Sequence, residues 1–302
     1  MNALPKIIAI VGPTASGKTE MSLALAKKFN GEIVNADSRQ VYRGMDIGTA
    51  KEKPDDEKSD YFVRGIRHHL IDIVNPDEEF TLAHYKKLVF EAIDNILSRG
   101  KLPIVAGGTG LYVRTIVDNP DIPAVAPDLK LRAELEAKNL SELLAMLQKI
   151  DPKTAEKIDM QNPRRVIRAI EVAVSGESFL DLQNKFDPRY DALQIGISVE
   201  REELKERINA RVDRQIEDGL VEEVKKLAQK YDWKLPAMSG IGYKQIGFYL
   251  RGEISLPEAI EMIKRDTRRY AKRQMTWFHK DERIKWIKNV EETGELIEKF
   301  VK

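Results

Sequence analysis

Short apolar runs ending in glycine or polar residues alternate along this chain with segments whose apolar positions recur at helical spacing. The runs at 6–12, 32–36 (Glu-Ile-Val-Asn-Ala), 69–74 (His-Leu-Ile-Asp-Ile-Val) and 102–106 (Leu-Pro-Ile-Val-Ala) predict strands. Between the last two, Leu82, Tyr85, Leu88, Val89, Ala92, Ile93 and Ile96 predict a helix over 81–98, stopped before Gly100. Such alternation specifies an α/β fold: a parallel sheet with helices on both faces and a ligand crevice beyond the C-terminal strand ends. The pattern changes at Asn119–Pro127, whose prolines exclude regular structure, and only helices are expected from 128 to about 182. A second break at Asn184–Asp191 precedes an apolar strand over 192–199, helices over 200–279 and a last strand at Ile284–Ile287. The expected organisation is a catalytic core of residues 1–118 and 191–302 carrying a helical insertion of residues 119–190.

Composition adds exclusions. With 302 residues, 42% of them apolar, the chain can bury a full core. It contains no cysteine, which removes disulfides, thiolate zinc sites and cysteine nucleophiles. No run of eighteen apolar residues occurs and the first strand begins almost at once, so a soluble, cytoplasmic protein with neither membrane span nor leader is expected. The net charge of +1 conceals a cluster at 264–273, where Lys264, Arg268 and Lys272 form one helical column with Arg265, Arg269 and Arg273 beside it. Like charges at that spacing destabilise a helix unless an anion lies against them, so nucleic-acid phosphates or a diphosphate are indicated; a solvated face is the alternative.

The strongest chemical signal follows the first strand. Gly12, Pro13, Thr14, Ala15, Ser16, Gly17, Lys18 and Thr19 match G-x-x-x-x-G-K-[ST], the loop whose backbone N–H groups cradle phosphates while its lysine adds a mobile charge. The helix opening at Lys18-Thr19-Glu20 directs its positive end at the same place. At the end of the second strand, expected next to the first, Asp37 stands beside this loop, placed to accept a proton or to serve as a cap or turn aspartate. The fourth strand ends in Gly107-Gly108-Thr109-Gly110, which lets backbone approach a ligand and offers the Thr109 hydroxyl. Asp72, mid-strand and followed by Ile-Val, reads as a structural carboxylate more readily than as a metal-holding Walker-type aspartate, and His68 and His69 lack ligand spacing. Gln161, Asn162, Pro163, Arg164 and Arg165, with Arg168, form a second basic region, and the two regions suggest one ligand gripped by both domains. Ser239, Gly240, Ile241, Gly242, Tyr243, Lys244 and Gln245 form a glycine-bearing entry to a helix, where Lys and Tyr are suited to a nucleic-acid backbone and base.

Six motifs occur in order: Gly-Pro-Thr-Ala-Ser-Gly-Lys-Thr, Asp-Ser-Arg-Gln-Val-Tyr, Gly-Gly-Thr-Gly-Leu-Tyr, Gln-Asn-Pro-Arg-Arg, Gly-Tyr-Lys-Gln and Ala-Lys-Arg-Gln-Met-Thr-Trp-Phe. In these the chain, from residue 7 to about 280, resembles the bacterial tRNA dimethylallyltransferases of the tRNA isopentenyltransferase family. The resemblance implies a P-loop-type sheet and transfer of a dimethylallyl group from dimethylallyl diphosphate to the N6 amine of the adenosine 3′ to the anticodon, with Mg²⁺ assisting and diphosphate leaving. It implies that residues Gly12 to Thr19 hold the diphosphate, with Arg211 as a further contact and Thr19 as a metal ligand. Asp37 would take the amine proton and Thr109 would bond the oxygen of the breaking bond. Asp37, Ser38, Arg39, Gln40, Thr109, Arg132, Gln161 to Arg165 and Ser239 to Gln245 would face the anticodon stem-loop of tRNA, and a monomer is expected. A P-loop kinase of a small metabolite is the competing expectation; it calls for a Walker-type aspartate and a compact lid.

Overall fold

Along β1 (Lys6–Val11) the side chains of Ile7, Ala9 and Val11 enter one apolar core and those of Ile8 and Ile10 another, so the strand is buried on both sides. Period-two alternation between two covered faces is the mark of a central parallel strand, and it explains the unbroken apolar run. The computed structural model describes residues 3–56, 60–122, 128–180 and 186–302. After α1 (Lys18–Lys28) come β2 (Gly31–Asn35), β3 (Phe62–Val63), β4 (Ile66–His69), α2 (Leu82–Ser98), β5 (Leu102–Gly107) and α3 (Gly110–Asp118). The chain later supplies β6 (Asp191–Ile197), α8 (Arg201–Glu217), α9 (Leu220–Ala228), α10 (Tyr243–Leu250), α11 (Leu256–Phe278), β7 (Lys285–Ile287) and α12 (Val290–Val301). The strands form one sheet in the order β3-β4-β2-β5-β1-β6-β7, parallel except for the β3–β4 pair. β1 and β2 flank β5, so the loops after all three open at one end of the sheet, as expected of an α/β fold.

One expected strand is displaced. The run 69–74 is not extended: β4 ends at His69, and Leu70 and Asp72 have φ of 64° and 53°, in the left-handed region. Asp72 therefore lies past the strand rather than within it, paired with the buried Lys51. The hairpin before β4 was not expected either, because its turn is Arg64-Gly65, not Asn-Gly. Both turn residues have positive φ, at 52° and 76°, and the Asp55 carboxylate accepts both their N–H groups at 2.7 Å, offsetting the cost at Arg64.

The chain divides into two units, one comprising residues up to Val117 and from Arg189, the other Asp118–Pro188. The second consists of α4 (Leu129–Glu136), α5 (Leu140–Ile150), α6 (Pro152–Lys157) and α7 (Pro163–Val174). Their helix starts are capped by Asp128, Asn139, Asp151 and Asn162, and their apolar stripes meet in a core of Leu135, Leu143, Leu147, Val166 and Ile170. Residues 123–127 of the first expected break, and 181–185 at the end of the expected helical stretch and the start of the second, lie outside the described residues.

A buried charge network pins the opposite end of the sheet from those loops. Glu32 of β2, whose side chain is 2% exposed, accepts from Arg99 at 2.5 and 2.6 Å, from Lys101 at 2.8 Å, and meets His69 at 2.7 Å. The Arg99 hydrogen bonds hold its carboxyl far below the ordinary 4.5 against the opposing effect of burial. A carboxylate with a depressed pKa contributes stability that is complete above its unfolded value and is lost as pH falls below it. Glu32→Gln should therefore flatten the acid limb of a stability-versus-pH curve below about pH 4.5. Glu32→Ala should cost about 2 kcal/mol in urea unfolding at pH 7; a midpoint equal to that of the unmodified protein at both pH 7 and pH 4 would show the network to be without net effect.

Candidate active site

At the end of β1 the backbone turns into a loop that requires glycine at its first position. Gly12 has φ 147°, and a Cβ there would lie 3.2 Å from Ser16 Oγ and 3.3 Å from the Ile197 carbonyl oxygen. Gly17 and Ala15 also take positive φ, at 93° and 62°, a curl of backbone that turns successive N–H groups towards one concavity. That concavity is a cavity of about 300 Å³, walled by the loop, Asp37, Gln40, Gly107, Gly108, Arg211 and Gln274. Ser16 Oγ is buried in it without a hydrogen-bond partner among the described residues.

Two cations, Lys18 and Arg211, share this cavity with the carboxylates of Asp37, Glu52 and Glu20, the last of which is paired with Arg64. Lys18 Nζ donates to the Pro13 carbonyl oxygen at 2.5 Å, and burial, reinforced by the Arg211 guanidinium, pushes the ammonium down to about 7. Arg211 reaches in from α8, donating from Nη1 to Thr14 Oγ1 at 3.3 Å, and burial lowers its pKa too, with Asp37 and Glu52 acting in the opposite direction. A pocket that destabilises its own cations, lines them with backbone N–H groups and leaves a hydroxyl unpaired fits a compact polyanion.

The sheet register brings Asp37 to this cavity. β2 and β5 pair up to Asn35↔Ala106, and Gly107 must be glycine because a Cβ would meet Ala36 O at 2.2 Å. The buried Asn35 side chain then clamps the strand end, accepting from Asp37 N at 3.0 Å and donating to the Leu70 carbonyl oxygen at 2.9 Å. Asp37 has both characters weighed from sequence: Oδ1 accepts from Arg39 N at 2.8 Å in a turn, while Oδ2 has no partner among the described residues.

Thr109 is held differently from the expectation that its hydroxyl faces a ligand. Its Oγ1 accepts from Ser38 N at 3.0 Å and donates to Ser38 Oγ at 3.3 Å, with Tyr270 nearby; the cavity wall consists of Gly107 and Gly108 instead. Donation to a ligand would require Thr109 to exchange its Ser38 Oγ partner.

Several residues expected to face nucleic acid have internal work. Tyr243 is 1% exposed, its hydroxyl donating to Glu223 at 2.7 Å, so it is no platform for a base. Gln245 is also buried, accepting from Gly242 N and donating to Asp266. Arg39 donates to the Pro236 carbonyl oxygen at 2.6 Å, and Gln40 to that of Thr49 at 3.1 Å. Arg132 forms a two-pronged pair with Glu171, at 2.8 and 2.7 Å, whose carboxylate is buried. Ser239 and Lys244 are exposed, with Gly240 and Ile241 more covered between them. Gln161, Asn162, Pro163, Arg164 and Arg165 are all exposed at the start of α7, where Asn162 caps the helix through Arg165 N.

The 264–273 cluster is not one cationic face. Lys264 pairs with Asp213 at 2.7 Å and Arg268 donates to Asn209 at 2.6 Å, both on α8, while Arg265 and Arg269 bracket Asp266. Lys272 and Arg273 remain exposed. What the charge pattern hid is an uncharged face of α11: Tyr270, Gln274 and Trp277, at i, i+4 and i+7, lie along the Thr109 loop. Gln274 bonds both Thr14 N and the Gly108 carbonyl oxygen, and Trp277 covers Gly110. The spacing Tyr-x3-Gln-x2-Trp was the available signal.

His68 Nδ1 lies 3.0 Å from the Ile66 carbonyl oxygen and the residue also forms part of the cavity wall, while His69 Nε2 meets Glu32 at 2.7 Å. Among the described residues no three His, Asp or Glu side chains gather as a metal site, and no helix is long and apolar enough to cross a membrane.

Comparison with known proteins places this geometry. The family model described as IPP transferase matches residues 40–281. The chain is 52% identical over 293 residues to a tRNA dimethylallyltransferase of Acetivibrio thermocellus, covering 94% of this chain and 92% of that one. It is 47% identical to the enzyme of that name in Alkaliphilus oremlandii, covering 98% and 96%. Among solved structures, the full-length tRNA isopentenylpyrophosphate transferase of Bacillus halodurans superimposes with a TM-score of 0.72 at 41% identity, over 98% of this chain and 95% of that one. A eukaryotic dimethylallyltransferase acting on tRNA superimposes with a TM-score of 0.75 at 31% identity, over 90% and 69%.

Proposed function

This chain belongs to the IPP transferase family, and from that membership and the site just described we propose that it transfers a dimethylallyl group from dimethylallyl diphosphate to N6 of the adenosine 3′ to the anticodon in tRNA, releasing diphosphate. The observation that carries this reading is that two buried cations, Lys18 and Arg211, whose charge burial disfavours, meet Asp37 around one small cavity. A departing diphosphate needs the first and an attacking amine the second. The N6 nitrogen attacks the allylic carbon, the bond from that carbon to the diphosphate oxygen breaks, and the amine proton passes to Asp37. Lys18, Arg211 and the N–H groups of Ala15 and of Gly17 to Thr19 take up the charge that develops on the leaving diphosphate. Thr109 would donate to the oxygen of the breaking bond after giving up Ser38 Oγ.

Mg²⁺ fits the donor set: Thr19, exposed at the start of α1, and Ser16, whose Oγ is unpaired among the described residues, both line the cavity and would offer neutral oxygens to an ion that keeps its waters and substrate phosphate oxygens. It would supply further charge neutralisation to the diphosphate. A kinase reading loses its metal-holding carboxylate, because Asp72 is committed to Lys51.

An adenosine stacked in an anticodon loop must be turned outward to reach such a cavity, and contacts elsewhere on the RNA must offset that cost of a few kcal/mol. Arg164 and Arg165, together with Lys244 and Ser239, are the exposed groups suited to it. Replacing Arg164 and Arg165 by Ala should weaken binding of an anticodon stem-loop about tenfold and reduce the slope of log affinity against log salt by about 1 to 2. An unchanged slope removes them from the phosphate-contacting surface.

The whole reading is tested by incubating the protein with labelled dimethylallyl diphosphate, Mg²⁺ and, in separate arms, an anticodon stem-loop or adenosine monophosphate. Label in the stem-loop alone is expected. Label in the mononucleotide alone, or transfer of the γ-phosphate of ATP without prenyl transfer, would overturn it.

A further inference from the structure

β1 and β5 are hydrogen-bonded neighbours as far as the pair Val11↔Gly107, and beyond it their chains diverge. One enters the phosphate-binding loop and the other the segment that carries Thr109. Into the gap α11 inserts the carboxamide of Gln274, which is 5% exposed. Oε1 accepts the Thr14 N–H at 2.8 Å and Nε2 donates to the Gly108 carbonyl oxygen at 2.9 Å. The fit is close: a Cβ on Gly108 would lie 2.1 Å from Nε2. A carboxamide carries an acceptor and a donor side by side, so it acts here as a detached peptide unit prolonging the ladder between two strands that have parted. It also takes up the Thr14 N–H.

We infer that Gln274 is a positioning residue for prenyl transfer: it sets the separation between the loop that holds the leaving diphosphate and the loop that presents Thr109. The inference rests on the prenyl-transfer reading above. Gln274 itself bonds only the two backbones, and its effect passes through them. Tyr270 and Trp277, against Thr109 and Gly110, keep α11 aligned along the same segment. A displacement of about 1 Å between reacting groups costs on the order of a hundredfold in rate, and that is the scale expected here.

Gln274→Met preserves length and volume while removing both bonds; Gln274→Glu keeps the acceptor for Thr14 N and loses the donor to Gly108. Single-turnover rates with saturating dimethylallyl diphosphate and stem-loop should fall about a hundredfold for Gln274→Met and by an intermediate factor for Gln274→Glu. Stem-loop Kd should stay within threefold. A role confined to folding would lower Tm and the active fraction without changing the rate per active site. Because Gln274 acts through the Thr109 loop, combining Gln274→Met with Thr109→Val should give a rate within threefold of Thr109→Val alone. Multiplicative losses in the double variant, or a Gln274→Met rate within threefold of the unmodified protein, would overturn the inference. If Gln274→Met does not fold, an unchanged rate in Gln274→Glu overturns it. The unmodified protein separates the two readings: absence of prenyl transfer there refutes the function, and normal transfer there with unaffected variants refutes only the role of Gln274.

Discussion

Asp37→Ala is expected to lower the single-turnover rate of prenyl transfer by about 10²- to 10⁴-fold while leaving stem-loop Kd within a few-fold. The carboxylate stands at the cavity wall on the end of β2, clamped through Asn35, with Oδ2 free of partners among the described residues. Loss of the proton acceptor should therefore appear in the chemical step and not in binding. Oδ1, however, also holds the turn to Arg39 N, and Arg39 in turn anchors the Pro236 segment. Asp37→Asn separates these two roles, because a carboxamide oxygen can still accept from Arg39 N but the group no longer accepts a proton. Both variants should be equally slow if the acid–base role dominates. A near-normal rate in Asp37→Asn with a slow Asp37→Ala would show the turn to be the essential feature and would remove Asp37 as base.

Lys18→Ala should reduce transfer by about 10²- to 10³-fold, the scale for removing one preorganised donor to a developing anion. Its loss should also erase a proton linkage. In the free protein Lys18 titrates at about 7, because burial and Arg211 oppose its charge. A bound diphosphate requires the ammonium, so above pH 7 donor binding must take up a proton, and affinity should fall by up to tenfold per pH unit towards the ordinary lysine range. Stability of the free protein runs the other way. Between about 7 and 10.5 the unfolded chain binds the Lys18 proton more readily than the folded one, so this residue's contribution makes stability rise with pH across that window. Calorimetry of dimethylallyl diphosphate binding at pH 8 in buffers of different ionisation enthalpy should give an uptake close to one proton, and close to none for Lys18→Ala. Equal uptake in the two proteins would assign the linkage to another group.

These expectations differ in how far the amino-acid order foretold them. The phosphate-binding loop was legible because all its parts are contiguous: an apolar strand, two glycines at fixed spacing, a lysine and a helix start. Asp37 was legible in part: its strand was expected next to β1, whereas β5 lies between them, yet the parallel strand ends open on one side and bring it to the same cavity. Charge and aromaticity were poorer guides. Arg132 and Arg164 look alike in the chain, yet one is paired with the buried Glu171 and the other is exposed. Tyr243 resembles a base-stacking residue by neighbourhood, but its ring packs where a Cβ on Gly48 would be 2.5 Å away. The same limit applies to 69–74, where hydropathy records which residues are apolar but not that Leu70 and Asp72 have left-handed φ.

By itself the sequence determined the class of fold, the phosphate cradle and the family, because strand alternation, glycine placement and motif order are short-range properties carried by neighbouring residues. Tertiary structure alone decided which cations are free, where the Thr109 hydroxyl points, and that Gln274 bridges Thr14 and Gly108, 260 and 166 residues away along the chain. Those outcomes depend on donor and acceptor atoms meeting within about 3 Å, a distance set by how the sheet, α8 and α11 pack and recorded by no local pattern of residues.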